Sequence, residues 1–438
     1  MTICLIGAPI ITEFEHGAET GAEQPRNIAG RPQLGMLALT ASLEMAGYPV
    51  EIVNLNRSYY NYLASRAVAN EDFCAWAARE IAGFQADVYG FSSICSSYPL
   101  SLRIACKVKA ERPASTIIFG GPQASVVDVE TLTTFPSVDF ILRGEADHTL
   151  PALLTELCGA GCFSALPGLT FRIGKRVVRN PNAPPITDLD GLPVPAYHYV
   201  DNARELGEAC LELGRGCPFA CKFCSTNDFF RRNFRVKSPV RMLTEMRHIA
   251  HRYGLRRFEL VHDMFTVDRK RVVAFCNELL ASNEMFKWSC SARTDCVDDE
   301  LLALMAQSGC VGIFFGIETG SARMQKVIDK HLDLEEARAM VNAAERHGMS
   351  STVSLITGFP EESLDDLRQT VHFYMHAVKT PHADPQLNLL APLAATPIHD
   401  KHRDELVLDE TLFGRIASGP VPKRRRSSPN RNPFRYLS

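Results

Sequence analysis

The sequence lacks a strong net charge and lacks long uncharged apolar runs. Its 438 residues carry a formal charge of −3, so they create no general field for nucleic acid. No apolar run reaches the roughly 18 residues that a membrane-spanning helix needs. The opening MTICLIGAPI has no basic start and no small-residue cleavage site. We therefore expect no signal peptide and a cytoplasmic location.

A disulfide framework is also not expected, although the chain contains 14 cysteines. Thiols in the cytoplasm are kept reduced, so these cysteines are core residues or metal ligands. The length predicts two or three domains, because a single core rarely grows to this size.

Residues 1–160 alternate short apolar runs with helical patterns such as LGMLALTASLEMAG at 34–47. Several runs end in glycine, as in IIFGGP. This alternation predicts a parallel, doubly wound α/β sheet whose ligands bind beyond the carboxyl ends of the strands. The predicted strands are 3–10, 49–56, 87–95, 115–125 and 138–147.

Residues 161–203 are rich in proline and predict a linker between domains, with one hairpin in LTFRIGKRVVRN. A second alternation fills residues 204–400 and predicts a parallel, partial (β/α)6 barrel. Its predicted strands are 208–214, 257–262, 287–292, 311–316, 352–357 and 386–391. Its predicted helices are 239–253, 268–282, 298–308, 334–347 and 363–379.

The C-terminal extension, residues 401–438, ends in a basic tail. From Thr411 onward it has seven Lys and Arg and no acid, which leaves 40 basic and 50 acidic residues in the rest of the chain. This composition predicts a disordered tail. The alternative interpretation is an arm that binds an acidic or nucleic-acid partner.

Three cysteines, Cys217, Cys221 and Cys224, lie within GCPFACKFCST. A structural zinc site needs four ligands, usually in two pairs, and no second C-x2-C follows. Zinc completed by a distant cysteine remains an alternative; the candidates are Cys210, Cys290, Cys296 and Cys310.

The spacing C-x3-C-x-aromatic-C, with Phe223 as the aromatic residue after a predicted strand, closely resembles the radical S-adenosylmethionine (SAM) superfamily. The resemblance implies a 4Fe-4S cluster held by these three cysteines, with the fourth iron open to SAM. It also implies reductive cleavage of SAM to a 5′-deoxyadenosyl radical that abstracts hydrogen from the substrate.

Four later segments resemble further motifs of that superfamily: VHDMF, WSCSARTD, GIFFGIETGS and SLITGFPEES. Ser354 departs from the pattern, because glycine is frequent there. The resemblance implies that the SAM contacts are Phe223, Asp263, Ser291, Arg293, Glu318, Ile356 and Gly358. Two alternatives stay open: Arg293 and Glu318 as an ordinary ion pair, and His262 as a core residue or a proton donor.

The order of a doubly wound domain, a linker and a barrel resembles the cobalamin (B12)-binding branch of the superfamily, over roughly residues 1–400. DVYGFSS, IIFGGPQAS and VDFILRGEADHTL stand where that branch has its GGPH and RGEGE patterns. The resemblance implies that the cobalamin contacts are Ser92, Ser93, Gly120, Gly121, Gly144 and Glu145.

Two departures bear on cobalamin. The motif D-x-H-x-x-G, which supplies a lower axial histidine, is absent, and Gln123 replaces the histidine of GGPH. Members of this superfamily usually lack the axial histidine, so cobalamin is not excluded. A domain that kept the fold and lost the cofactor is the alternative. The chain also stops soon after the sixth predicted barrel strand, where relatives usually continue.

The resemblance favours a cobalamin-dependent methyltransferase that acts at an unactivated carbon in a biosynthetic pathway. The second hypothesis is a radical SAM enzyme that catalyses rearrangement, cyclisation or oxidation without methyl transfer. The third is a non-catalytic, metal-stabilised binding protein. The expected partners are a small-molecule or peptide substrate and an electron donor such as a flavodoxin or ferredoxin.

Overall fold

The structure is a computed structural model that describes residues 1–7, 33–65, 72–200, 203–408 and 434–436. Within these residues the chain forms two units. The first unit comprises Met1–Ile186 and Leu192–Leu206, and the second comprises Thr187–Gly191 and Gly207–Leu408.

The first unit is built on a seven-stranded sheet in the order β2-β1-β3-β4-β5-β6-β7. The first five strands in this order pair in parallel, and β6 and β7 are antiparallel. Strand β1 is a wholly buried apolar run, as a central parallel strand requires. The strands are β1 (Ile3–Gly7), β2 (Val50–Asn54), β3 (Val88–Ser92), β4 (Thr116–Gly120), β5 (Phe140–Leu142), β6 (Leu169–Ile173) and β7 (Arg176–Arg179).

In the described part of this unit, seven α-helices accompany the sheet: α1 (Leu34–Met45), α2 (Leu55–Ser65), α3 (Phe73–Ala82), α4 (Tyr98–Glu111), α5 (Pro122–Val126), α6 (Asp128–Thr134) and α7 (Thr149–Cys158). Among the described residues of this unit, two apolar clusters form the core. One gathers side chains of α3 and α4 against the sheet, and the other gathers those of α1 and α7. Because the two clusters contain side chains of different helices, they confirm the predicted doubly wound α/β architecture.

The predicted hairpin forms, but the interpretation of its surroundings as a linker was wrong for β6 and β7. Both strands extend the sheet, since Phe140 of β5 pairs with Phe171 of β6. The Arg143 guanidinium reinforces the junction through a 3.0 Å hydrogen bond from Nε to Thr170 Oγ1. None of the prolines that suggested a linker lies within the hairpin, because Pro167 precedes it and the others follow it.

The second unit contains a six-stranded parallel sheet in the order β15-β14-β13-β12-β11-β8. The strands follow one another in chain order, as in a parallel barrel. Within the described residues no pairing joins β15 to β8, so the barrel is partial. The strands are β8 (Ala209–Glu212), β11 (Arg257–Val261), β12 (Lys287–Ala292), β13 (Cys310–Glu318), β14 (Ser350–Thr357) and β15 (Ala383–Leu389).

The helices of the second unit are α8 (Thr226–Phe230), α9 (Pro239–Tyr253), α10 (Arg269–Ala281), α11 (Asp299–Gln307), α12 (Ala322–Val327), α13 (Leu334–Arg346), α14 (Leu364–Lys379) and α15 (Pro397–Lys401). The five helices predicted for this region are α9, α10, α11, α13 and α14. Each of these five begins after a side-chain cap that accepts a backbone N–H. The capping residues are Ser238, Asp268, Asp298, Asp333 and Ser363.

Two short strand pairs were not predicted. Strand β9 (Gly214–Arg215) pairs with β10 (Arg235–Val236), and β16 (Leu406–Leu408) pairs with β17 (Phe434–Tyr436). Strand β17 lies in the basic tail, so the prediction of disorder was wrong for these three residues. Residues 409–433, including most of the tail, lie outside the described residues. In the described part of the chain, no helix is long and apolar enough to cross a membrane.

Candidate functional site

The three-cysteine loop runs between β9 and α8, at the carboxyl end of the first barrel strand. Gly216 opens it with a positive φ of 81°. A Cβ at this position would lie 2.1 Å from the carbonyl oxygen of Asn233, so only glycine fits. The start of the loop therefore lies directly against the backbone that leads into β10. This close packing fixes the backbone that carries the three thiols.

The three thiols influence one another electrostatically. Burial, with smaller contributions from the Cys224 and Cys221 thiols, raises the pKa of Cys217 to about 11. Burial also raises the pKa of Cys221, while Lys330 and Arg293 oppose that effect. Thiols in such a place ionise on binding a positively charged metal centre.

No group of three or more His, Cys, Asp or Glu among the described residues could hold a single metal ion. A 4Fe-4S cluster makes a different demand, because each of its thiolates binds a separate iron. Three partly buried thiols on one loop, with two cations beside Cys221, meet that demand.

Asp263 follows β11 and fixes the loop at two points. Its Oδ2 accepts a 3.1 Å hydrogen bond from the Gly216 N–H, and its Oδ1 accepts one from Thr226 Oγ1 at 3.2 Å. Burial raises the pKa of Asp263. The structure thus brings Asp263 to the cysteine loop, where it holds both sides of the three-thiol segment.

His262, next to Asp263, is a core residue in this structure. It is 4% exposed and lies beside the Phe234 ring, with ring centroids 5.2 Å apart. Burial lowers the pKa of His262 to about 4. The imidazole is therefore neutral near pH 7, which agrees with the core interpretation and not with a ready proton donor.

Arg293 follows β12 and reaches the cysteine loop. Its guanidinium carbon lies 3.9 Å from the centroid of the Phe219 ring, and its Nη1 lies 4.0 Å from Cys221 Sγ. Nε and Nη2 donate to the two carboxylate oxygens of Asp295 at 2.9 and 2.8 Å. Nη2 also donates to the Lys330 carbonyl oxygen at 2.7 Å. Arg293 therefore does not pair with Glu318.

Glu318 ends β13 and pairs with a residue that the sequence analysis missed. Its Oε1 lies 2.7 Å from Lys330 Nζ, and both side chains are buried. Glu318 has a positive φ of 68°, and the β13–β14 register shifts between Gly316 and Glu318. A strained non-glycine residue at a strand end is typical of a functional site. Lys330 belongs to no motif, so nothing in its sequence context indicated it.

Two of the four remaining predicted SAM contacts pack against a small apolar cluster. Phe223 and Ile356 both pack against it, and the Phe223 ring contacts Phe359 edge-on with centroids 5.9 Å apart. Gly358 has a positive φ of 86°, and its N–H donates to Glu362 at 2.7 Å. Ser291 lies on β12 beside Phe314 of β13. The cluster itself consists of Met324, Ile328, Phe359, Leu390 and Ile398.

In the first unit, four of the predicted cobalamin contacts meet at the ends of β3 and β4. Ser92 pairs with Gly120, and the Ser93 N–H donates to the Gly120 carbonyl at 3.3 Å. Gly121 has a φ of 94°, and a Cβ there would lie 2.7 Å from the Ser93 carbonyl oxygen. The buried Ser93 hydroxyl has no hydrogen-bond partner among the described residues. A buried unpaired hydroxyl beside glycine backbone fits a polar ligand group at this position.

Gly144 and Glu145 follow β5 on the same side of the sheet. Gly144 has a φ of 77°, and a Cβ there would meet nothing within 4 Å. Its N–H donates to Ser125 Oγ at 3.0 Å. Glu145 Oε2 accepts from the Ile186 N–H at 3.3 Å. Gly144 thus leaves open space for a ligand. The Glu145 carboxylate instead binds the backbone of Ile186, which follows the hairpin in the chain.

Two family models match separate parts of the chain. The Radical SAM superfamily matches residues 211–374, and the B12 binding domain matches residues 31–154. The chain therefore combines a radical SAM domain with a B12-binding domain, as cobalamin-binding members of the radical SAM superfamily do. These domains imply a 4Fe-4S cluster and SAM in the second unit and cobalamin in the first. The predicted family, fold class and cofactors are confirmed.

Curated relatives include methyltransferases and cyclases. An uncharacterized methyltransferase of Pyrococcus horikoshii is 26% identical over 300 residues, which cover 68% of this chain and 65% of the relative. The anaerobic magnesium-protoporphyrin IX monomethyl ester cyclase of Cereibacter sphaeroides is 25% identical over 363 residues, covering 79% of this chain and 58% of the cyclase. This chain spans less than two thirds of either relative.

The solved structure of the radical SAM methyltransferase TsrM from Kitasatospora setae, with tryptophan substrate and a SAM analogue bound, has the same fold. It superposes with a TM-score of 0.70 at 16% identity, over 96% of this chain and 79% of TsrM. TsrM has also been solved with cobalamin and a 4Fe-4S cluster bound. The likeness confirms the two-domain architecture.

Proposed function

We propose that the chain is a cobalamin-dependent radical SAM methyltransferase that acts at an unactivated carbon in a biosynthetic pathway. One observation carries the proposal: a single chain holds both the three-thiol loop with its buried charges and the glycine-lined strand ends beside an unpaired hydroxyl. The similarity to a methyltransferase of Pyrococcus horikoshii supports it.

The residues of the second unit would hold the cluster and SAM. When bound, the cluster supplies one electron for the cleavage of SAM, and cobalamin supplies a carrier for a methyl group. Glu318 and Lys330 offer a carboxylate and an ammonium 2.7 Å apart, which complement the ammonium and carboxylate of an amino acid. Ile356 and Phe223 offer apolar surface for the adenine.

Further contacts follow the sequence prediction. Ser291, Gly358 and Asp263 would complete the SAM site, with Asp263 also fixing the cysteine loop. The prediction that Arg293 binds the SAM carboxylate stays a prediction. In the first unit we propose that cobalamin contacts the small residues after β3, β4 and β5: Ser92, Ser93, Gly120, Gly121, Gly144 and Glu145.

A labelled methyl group tests methyl transfer without knowledge of the substrate. The protein, loaded with cluster and cobalamin under anaerobic conditions, is reduced and mixed with SAM that carries a labelled methyl group. We expect the label to appear in the corrinoid fraction. A matched Cys158→Ala variant, which changes an exposed thiol in the first unit, should behave as the wild type. Label that stays in SAM and methionine would contradict the methyltransferase assignment.

The similarity to a cyclase favours a second candidate, a radical SAM enzyme that catalyses rearrangement, cyclisation or oxidation without methyl transfer. The same experiment separates the two. Formation of 5′-deoxyadenosine with no label on the corrinoid would favour the second candidate. The remote alternative, a non-catalytic metal-stabilised protein, would form neither product.

Partners and location complete the proposal. We propose a small-molecule or peptide substrate and an electron donor such as a flavodoxin or ferredoxin, because cleavage of SAM consumes an electron that the chain cannot itself generate. A cytoplasmic location follows from the sequence prediction and suits a cluster that must be protected from oxygen.

A further inference from the structure

Arg293 uses most of its hydrogen-bonding capacity on its own chain. A guanidinium has five N–H donors. Two of them donate to the Asp295 carboxylate and one donates to the Lys330 carbonyl oxygen. A fourth points toward Cys221 Sγ, 4.0 Å from Nη1. The side chain is 3% exposed. A residue engaged in this way is poorly placed to form a new two-pronged contact with a carboxylate of SAM.

The same guanidinium covers the cysteine loop. Phe219 lies between Cys217 and Cys221 in the chain, and its ring centroid is 3.9 Å from the guanidinium carbon. That distance is a close cation–π stack, which is stronger in a buried place than at the surface. Arg293 therefore fixes one wall of the thiol loop from β12, while Asp263 fixes the loop from β11.

A cation next to a cluster thiolate has an electronic effect as well as a steric one. Hydrogen bonds and positive charge at the sulfurs favour the reduced state of an iron–sulfur cluster, because reduction adds negative charge. Arg293 Nη1 lies 4.0 Å from Cys221 Sγ, so its positive charge is close to one of the three predicted cluster sulfurs. Both cations near that thiol have a carboxylate partner, Glu318 for Lys330 and Asp295 for Arg293. Asp295 binds Nε and Nη2 of Arg293, so Nη1 is the nitrogen that faces Cys221 Sγ.

We infer that Arg293 is a positioning residue of the cluster loop, which clamps Phe219 and Cys221 and raises the reduction potential of the cluster held there. This inference rests on the proposed function only in requiring that Cys217, Cys221 and Cys224 hold a 4Fe-4S cluster. It assigns to Arg293 a role that is complete before SAM binds.

The test is a redox titration of the loaded protein without SAM, followed by electron paramagnetic resonance of the reduced cluster. The variants are Arg293→Gln, Arg293→Lys and Phe219→Leu. Arg323→Gln is the matched control, since Arg323 also binds a carboxylate, Asp366, and a backbone carbonyl, that of Glu361, in the same unit. No contact joins Arg323 to the described cysteines.

We expect Arg293→Gln to make reduction about tenfold less favourable, which is about 59 mV more negative for a one-electron couple. Arg293→Lys should show a smaller shift in the same direction, because it keeps the charge but loses the planar stack. Phe219→Leu should alter the resonance spectrum, and Arg323→Gln should match the wild type. If Arg293→Gln does not assemble a cluster, the Arg293→Lys potential decides the question.

An unchanged potential in the Arg293 variants, with SAM affinity reduced, would overturn the inference and assign Arg293 to the SAM carboxylate. The proposed function would stand in that case. A wild-type protein that binds no iron would overturn both, so the two failures are distinguishable.

Discussion

At the ends of β3 and β4 in the first unit, the chain presents glycine backbone and small hydroxyls. At the ends of β12 and β13 in the second unit, it presents the buried side chains of Arg293 and Glu318. Glu318 pairs with the buried Lys330, and Arg293 pairs with the exposed Asp295. A large ligand can approach the backbone only where the side chains are small or absent, as at glycine. Electron transfer to a cluster, and binding of a ligand that carries both an ammonium and a carboxylate, require protein charges that are held in place and shielded from water.

This difference determines how each region responds to change. Small residues contribute space, so their substitution acts mainly through steric conflict. Paired buried charges depend on one another, because removal of one partner leaves the other desolvated. Substitutions in the charged region should therefore have larger effects than substitutions in the glycine-lined region.

Removal of one cluster thiol should have the largest effect. Cys221→Ala leaves two thiols on the loop, so we expect loss of nearly all bound iron and of SAM cleavage while cobalamin binding persists. Iron analysis and assay of 5′-deoxyadenosine measure this. Cys158→Ala is the control. If SAM cleavage survives in Cys221→Ala, the cluster assignment is wrong.

Disruption of the Glu318–Lys330 pair should rank next. Removing one partner of a buried ion pair costs about 3–5 kcal/mol, because the remaining charge has no counterpart. We expect Lys330→Met to destabilise the protein by this order in denaturant unfolding and to weaken SAM binding.

The double variant Glu318→Gln, Lys330→Met is the control for that prediction. It removes both charges, so it should recover much of the lost stability without recovering SAM binding. Additive losses in the double variant would show that the two side chains do not act as a pair.

Acidification should weaken the second unit through His262. The folded protein holds the pKa of His262 at about 4, below its ordinary 6.5, so the unfolded chain takes up the proton first as pH falls. Stability contributed by the neutral ring is therefore lost between pH 6.5 and pH 4, by up to about 3 kcal/mol. Unfolding of the wild type and of His262→Asn across this range measures the effect. If the free energies of unfolding of the wild type and of His262→Asn fell equally with decreasing pH, His262 would not be the cause of the acid sensitivity.

The smallest stability effect is expected in the first unit, at Ser93. Its buried hydroxyl has no partner among the described residues, so Ser93→Ala should leave the free energy of unfolding unchanged or raise it by about 1 kcal/mol. Cobalamin affinity, measured by absorbance titration, should fall several-fold.

Gly121→Ala is the contrasting variant, since the new Cβ would lie 2.7 Å from the Ser93 carbonyl and the backbone has a positive φ. It should lower stability by about 2 kcal/mol as well as cobalamin binding. Equal free energies of unfolding for Ser93→Ala and Gly121→Ala would contradict the view that Ser93 supplies a polar contact whereas Gly121 supplies space.

The sequence predicted the elements well where periodicity and caps agree. Helix α9 matches its predicted bounds, because Ser238 caps its start and Gly254 follows its end in the left-handed conformation. The hairpin of β6 and β7 was recognised, but its place in the sheet was not, since pairing with β5 is a long-range contact. Strands β9 and β10 have two residues each and are too short to show periodicity.

For the site, the sequence identified the residues that belong to motifs and missed what they contact. The Cys spacing located the loop, and Glu318 was singled out by GIETGS. Lys330 was not, because a lysine twelve residues after Glu318 becomes its partner only through the fold. The stack of Arg293 on Phe219 likewise depends on two distant segments meeting at one end of the sheet.

The most direct test of the account is the metal content of the protein, expressed with cobalamin available and purified without oxygen. Iron, sulfide and cobalt are measured per chain. The account predicts about four irons, with matching sulfide, and about one cobalt. Four irons without cobalt, even after incubation with excess cobalamin, would contradict the methyltransferase assignment, and absence of iron would contradict the cluster itself.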